Sequence, residues 1–175
     1  CDADYYTDKT VMVIGSGDAA IEEGIFLTKF AEKVIVSIRH NKGTMKANKI
    51  AQEQAIKNPK MEFIWNSVVN SFEGGERLNT VILKNTNTEK LTEIPVDGCF
   101  LFIGYIPNTE IFKCKLTLTK HGYITTNENM ETNIEGVFAI GDVRDKLLKQ
   151  VATAVGDGAI AGVRTEKYIA ESEIL

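Results

Sequence analysis

Cysteine is scarce in this chain and odd in number: three residues, at positions 1, 99 and 114. So few, so widely spaced, imply no disulfide framework, and a reducing, cytoplasmic setting is the expectation. Cys99 lies in an apolar run and reads as a small core residue; Cys114, after Ile111-Phe112, reads as chemically inert. Basic charge is not in excess either. The formal net charge is −4, and no basic stripe is interleaved with aromatic residues, which argues against a nucleic-acid partner. Long hydrophobic runs are also absent. The apolar stretch Cys99–Ile106 is far too short to cross a bilayer, and residues 1–9 are polar and acidic, unlike a leader, so no membrane partner is expected. There is no internal repeat and no low-complexity tract. What is present is 43% hydrophobic residues in 175, enough for a packed core in one ordinary domain or two small ones.

The apolar residues are arranged in short blocks. Val11–Ile14 is β-branched and reads as a buried strand. A helix over Ala19–Ala31 follows, with Ala20, Gly24, Leu27 and Ala31 on one face, and Val34–Ile38 is a second buried strand. This βαβ unit implies a parallel sheet. A polar turn, His40–Thr44, leads to a helix over Met45–Lys57 that Asn58-Pro59 stops, and to a third strand, Met61–Trp65. Val68–Phe72, Leu78–Asn85 and Leu91–Ile94, with turns at Gly74-Gly75 and Asn85–Asn87, predict an antiparallel excursion. Asp97–Ile103 returns to a buried strand, and Gly104–Asn108 breaks the pattern as a candidate domain boundary. Beyond it, a hairpin around His121-Gly122, a strand Gly136–Ile140 and a helix over Gln150–Glu171 are expected. Ala152, Val155, Ala159, Gly162 and Val163 form the apolar side of that helix.

The densest information lies in Gly15-Ser16-Gly17-Asp18-Ala19-Ala20, between the first strand and first helix. That context is the one a dinucleotide fingerprint requires. Gly15 permits the tight turn, Gly17 lets backbone approach a pyrophosphate, Ala20 keeps helix and strand close, and the helix N-terminus faces the phosphates with unpaired N–H groups. The ribose is read at the end of the second strand, where an acid stands roughly 20 residues beyond the glycines in enzymes that hold an unphosphorylated ribose. Here Ser37–Gly43 contains no acid and offers Arg39, His40 and Lys42, with Lys46 just beyond. Cations there suit a 2′-phosphate; a solvated basic turn is the plain alternative. Further on, Gly141-Asp142 ends a predicted strand. Its carboxylate is placed either to accept a ligand hydroxyl or simply to cap the next helix.

Three motifs in one order, Gly15–Ala20, then Phe102-Ile-Gly104-Tyr-Ile-Pro-Asn-Thr109, then Gly136-Val-Phe-Ala-Ile-Gly-Asp142, resemble the flavin-dependent pyridine-nucleotide disulfide reductases. Cys1-Asp2 resembles the end of the Cys-x-x-Cys-Asp redox motif of the low-molecular-weight bacterial thioredoxin reductases. Lys149-Gln150, the small residues Val151, Ala152, Thr153 and Ala154, and Gly156-Asp157-Gly158 resemble that family's flavin-contacting helix. The resemblance covers essentially the whole chain. It implies an α/β fold in which residues 1–104 are a Rossmann-like, three-layer NAD(P)H-binding domain. Its parallel sheet carries an antiparallel excursion, and it lacks its N-terminal edge. Residues 105–175 are then the C-terminal segment of a FAD-binding domain, so the chain is expected to be the C-terminal portion of a longer, homodimeric enzyme. By the same resemblance Cys1 is the flavin-facing redox cysteine, Asp2 its acid–base partner, and Glu22 lies near the nicotinamide; Glu22 and Glu23 read equally well as a solvated helix face. FAD and NADPH are the implied cofactors, and a thioredoxin-like protein the implied acceptor. The family's His-Arg-Arg-x-x-x-Arg pattern is depleted here. Read without gaps it gives Ile38-Arg39-His40 with Thr44; with a two-residue insertion it gives His40-Asn41-Lys42 with Lys46. Lysine lacks the guanidinium fork, so a weaker phosphate site is expected, and NADH and ferredoxin stay open as donors. A ferredoxin–NADP reductase-like enzyme and a non-catalytic nucleotide-binding module are the other readings.

Overall fold

The structure is a computed structural model that describes residues 2–172. The chain divides into two compact units, Cys1–Gly104 and Tyr105–Leu175. The first unit runs β1 (Thr10–Ile14), α1 (Asp18–Leu27), β2 (Lys33–Ile38), α2 (Lys49–Lys57), β3 (Met61–Trp65), β4 (Ser67–Gly74), β5 (Leu78–Asn85), β6 (Leu91–Pro95) and β7 (Gly98–Leu101). Four strands form a parallel sheet in the order β3-β2-β1-β7, and β4-β5-β6 form an antiparallel sheet.

The period of two in the strands builds the layers. Val11, Val13, Val34, Val36 and Ile38 pack with Ala20, Ile21 and Leu27 of α1 and Ala51 and Ala55 of α2. Met12 and Ile35, pointing the other way, pack with Val81, Leu83 and Val96 of the antiparallel side. The parallel strands are therefore apolar on both faces, as a sheet covered on both sides must be. The result is helices, parallel sheet and antiparallel sheet, the α/β three-layer arrangement that the family resemblance implies. A short 3-10 turn, Ala3–Tyr6, precedes β1. Ala3 is buried, and the Tyr6 ring meets Phe100 edge-on at 5.3 Å. It lies over Gly98, where a Cβ would run into the ring.

Two helices in this unit are shorter than the sequence predicts. α1 stops at Leu27 rather than Ala31, because its last turn tightens. Thr28 N–H donates to Ile25 O at 3.2 Å, the Thr28 hydroxyl donates to the same carbonyl, and Lys60 Nζ satisfies the carbonyls of Thr28 and Ala31. Ala31 is nonetheless fully buried, so the predicted face holds. α2 starts at Lys49 rather than Met45. Asn48 is its N-cap, accepting the Ala51 N–H at 2.9 Å, and the residues before it spend their N–H groups elsewhere. β7 covers only Gly98–Leu101 of the predicted Asp97–Ile103. Cys99 is half-buried at the edge of the second cluster rather than in the core, and Cys114 is exposed.

The second unit holds the helix α3 (Val151–Ser172), 3-10 turns at Glu110–Phe112 and Gly141–Val143, and otherwise irregular chain. The hairpin at His121-Gly122 forms: Leu118 and Ile124 pair antiparallel and Gly122 sits at φ +87°. The predicted strand Gly136–Ile140 does not; only Phe138 finds a ladder partner, Glu131. Gly136 there has φ +72°, and a Cβ on it would stand 2.9 Å from the Tyr168 ring. The predicted apolar side of α3 is likewise not the packed one. Val155 and Val163 are 67% and 54% exposed, whereas Asp157 and Ala161 are buried. Polar anchors select this face: Asp157 holds three donors, and Arg164 grips Glu131 at 3.0 and 2.6 Å. No described helix is long and apolar enough to cross a membrane.

Candidate functional site

The first unit carries its candidate site at the C-terminal ends of β1, β2 and β7. Gly15 follows β1 with φ +144°, a backbone that side chains rarely adopt. A Cβ there would collide with Phe102 O and stand 2.9 Å from Ala20 Cβ, so strand, helix and β7 close directly on this residue. Gly17 is different. It is the N-cap of α1, with extended backbone, and a Cβ on it would meet nothing within 4 Å. It opens onto free space at the N-terminus of a ten-residue helix, where N–H groups lack intrahelical partners. An anion is suited to that place, so the residues fit a pyrophosphate.

The chain after β2 returns to this turn. Lys46 and Ala47 N–H groups both donate to Ser16 O at 2.8 Å. Asp18 Oδ1 accepts from Asn48 N–H at 2.7 Å and from Asn48 Nδ2 at 2.9 Å, and Nδ2 also lies 3.2 Å from Glu22 Oε1. The Asn48 backbone N–H, and then its side-chain amide, hold the Asp18 carboxyl below the usual carboxylate range. Arg39, Lys42 and Lys46 are exposed and His40 is half-buried. Among the described residues none of the four is in an ion pair. The structure thus brings Ser16, Gly17, Asp18, Glu22 and Lys46 together at one turn, with Arg39 following the last residue of the adjacent strand. Ala19 and Ala20 begin α1, and Ala20 is buried. Gly104, with φ +101°, ends the unit two residues beyond Phe102.

Of the redox residues of the sequence reading, only Asp2 can be placed. Cys1 is outside the described residues. Asp2 is exposed and precedes the 3-10 turn Ala3–Tyr6. That turn packs through Tyr6 over Gly98, the first residue of β7, whereas Gly15 meets Phe102 just beyond the last. The two candidate regions are therefore at opposite ends of the same strands. Burial pushes the Cys99 thiol up to about 11, so it stays protonated near neutrality. No cluster of three metal-ligating side chains occurs among the described residues.

In the second unit Gly141 has φ +74°, and its N–H donates to Asp157 Oδ2 at 2.9 Å. Arg144 Nη1 and Lys146 Nζ reach the same carboxylate at 3.0 and 2.8 Å. Burial disfavours the charged form of Asp157, but the Lys146 hydrogen bond, the Gly141 N–H and the charges of Arg144 and Lys146 outweigh it and hold its carboxyl below the usual range. The next residue, Asp142, is left exposed with its carboxylate unspent among the described residues. Lys149 Nζ donates to Lys146 O at 3.1 Å and lies 4.2 Å from the Tyr123 ring centre. Gln150 leads into α3, and Val151 and Ala152 are exposed in its first turn. Of the two residues that hold these turns, sequence reasoning missed Asn48 and gave Asp157 no role beyond its place in the helix motif. Asn48 carried a legible signal, a capping residue ahead of a helical pattern. Asp157 carried a weaker one, an acid between two glycines in an apolar helix.

Known proteins share this family and fold. The family model described as pyridine nucleotide-disulphide oxidoreductase matches residues 3–158. A thioredoxin reductase of Peptoclostridium acidaminophilum is 47% identical over 97% of this chain and 55% of its own length; one of Peptoclostridium litorale is 48% identical over 98% and 56%. Among solved structures, thioredoxin reductase from Streptococcus pyogenes superposes with a TM-score of 0.82 at 41% identity, over 98% of this chain and 56% of that one. The chain spans a little over half the length of the relatives it matches. On the family match over most of its residues, the chain belongs to the pyridine nucleotide-disulphide oxidoreductase family.

Proposed function

We propose that this chain carries the pyridine-nucleotide site and part of the flavin site of a thioredoxin reductase-like oxidoreductase. Residues 1–104 are its NAD(P)H-binding domain and residues 105–175 the C-terminal segment of its FAD-binding domain. The observation that carries the reading is Gly17: it is open, unencumbered and at a helix N-terminus, one residue from a turn sealed by backbone. NADPH is the proposed donor, with its pyrophosphate on the first turn of α1 and its 2′-phosphate among Arg39, His40, Lys42 and Lys46. Asp142, Lys149, Gln150, Val151 and Ala152 are the proposed contacts for FAD.

When bound, FAD supplies a two-electron relay between a nicotinamide and a disulfide. The glycine turn and the segment after Asp2 lie at opposite ends of β1, a five-residue strand, so about 16 Å of sheet separates them. In the proposed reaction Cys1 and a cysteine three positions before it cycle between disulfide and dithiol. Asp2 gives and takes the proton at the thiol, and the electron pair passes to the disulfide of a thioredoxin-like protein. A homodimer in the cytoplasm completes the reading, on the relatives' resemblance.

The test is anaerobic reduction of the flavin-loaded protein, followed by flavin absorbance, with NADPH, NADH and reduced ferredoxin compared as donors. Fast bleaching by NADPH, with NADH slower, is the expected result. Bleaching by ferredoxin alone would replace the nicotinamide donor, and no reduction by any of the three would overturn the reading.

A further inference from the structure

Three consecutive residues before α2 are tied to two residues of the glycine turn, Ser16 and Asp18. Lys46 and Ala47 hang from Ser16 O, and Asn48 clasps Asp18 through both its backbone N–H and Nδ2. The same Asn48 caps α2 through the Ala51 N–H. Its amide also covers two carboxylates, Asp18 and Glu22, one helical turn apart on α1. Lys46 is exposed and unpaired among the described residues, so the place of its ammonium is set by where its backbone is fastened.

We propose that Asn48 is a positioning residue for nucleotide selectivity: by clasping Asp18 it helps to fasten the segment that carries Lys46 beside the glycine turn. The inference rests on reading Gly15–Gly17 as a nucleotide turn. Its logic is differential. The pyrophosphate is common to NADP+ and NAD+ and sits at Gly17, which Asn48 does not touch. Only NADP+ carries the extra dianion, which feels the loss of an anchored ammonium. Breaking the clasp therefore falls on one ligand and spares the other.

Two variants separate the clasp from the helix cap. Asn48→Ser keeps an oxygen to cap α2 but removes the Nδ2 donor; Asn48→Asp also caps, and replaces the donor with a charge beside Asp18. Dissociation constants of NADP+ and NAD+ are measured by titration calorimetry on the 175-residue chain, with thermal melts alongside. Asn48→Ser is expected to weaken NADP+ about tenfold while NAD+ moves about twofold or less, the loss of one charge-assisted hydrogen bond. Asn48→Asp is expected to lower the NADP+/NAD+ preference further. A residue that merely caps α2 leaves that ratio unmoved in both variants, and this result, or equal weakening of both nucleotides, would overturn the proposal while the nucleotide turn stands. Wild-type chain that binds neither nucleotide would overturn the turn's reading and the clasp with it.

Discussion

Two glycines with positive φ precede the helices α1 and α3, and they are held by opposite means. Gly15 is fixed by contact. Phe102 O and Ala20 Cβ close on it so tightly that no side chain fits, and no charge takes part. Gly141 has room, its nearest neighbour for a Cβ being Ala154 Cβ at 3.6 Å, and it is fixed by Asp157 with Arg144 and Lys146 around it. A turn held by contact is indifferent to pH and salt but tolerates no substitution. A turn held by charges has space for a methyl group, though its positive φ still strains any side chain, and it is sensitive to anything that neutralises its carboxylate.

The comparison can be broken most violently at Gly15. Gly15→Ala is expected to cost about 3 kcal/mol or more, combining a forbidden backbone with a backbone collision, read as a lowered urea midpoint. Next comes Asp157→Ala, expected to cost about 1 to 3 kcal/mol because two half-buried cations and an amide lose one acceptor. Exchange protection at the Gly141 amide should fall most, and the Gly15 amide, bonded to Ser37 O at 3.2 Å, should keep its own. Acid sharpens the contrast further. The folded pKa of Asp157 is lowered, so its contribution is full above the unfolded value of about 3.9 and is lost as pH falls through the folded value beneath it. Protection at Gly141 should therefore drop in that window in wild type and show no such step in Asp157→Asn. The smallest effect on stability is expected at Gly17. Gly17→Ala, with free space around its Cβ, should cost about 1 kcal/mol or less while weakening nucleotide binding.

The same contrast explains what the sequence revealed. The turn after β1 was legible because everything that makes it lies within a dozen residues: a β-branched strand, two glycines, an alanine and a helical pattern. The layer order was legible for a similar reason, since Val11, Met12 and Val13 alternate between the two faces of one strand. Asn48 escaped because the stretch from Met45 reads as helix, while the N–H groups that break it are spent 30 residues away at Ser16. The packed face of α3 was misread because hydrophobic periodicity reports which residues favour burial. In this unit the ionic grip on Asp157 and Arg164 decides which residues are buried. Gly136–Ile140 has the composition of a strand but a single ladder partner, and pairing, not propensity, makes a strand.

The most direct measurement uses the chain's one tryptophan. Trp65 ends β3, paired with Ile38 beside Arg39 at the edge where the nucleotide is proposed to lie. Titration of the chain with NADPH, read as energy transfer from Trp65 to the nicotinamide, is expected to saturate in wild type. In Gly17→Ala the signal should collapse without a matching fall in melting temperature. Saturable transfer that survives Gly17→Ala unchanged, or no transfer from either NADPH or NADH in wild type, would contradict the assignment of this turn.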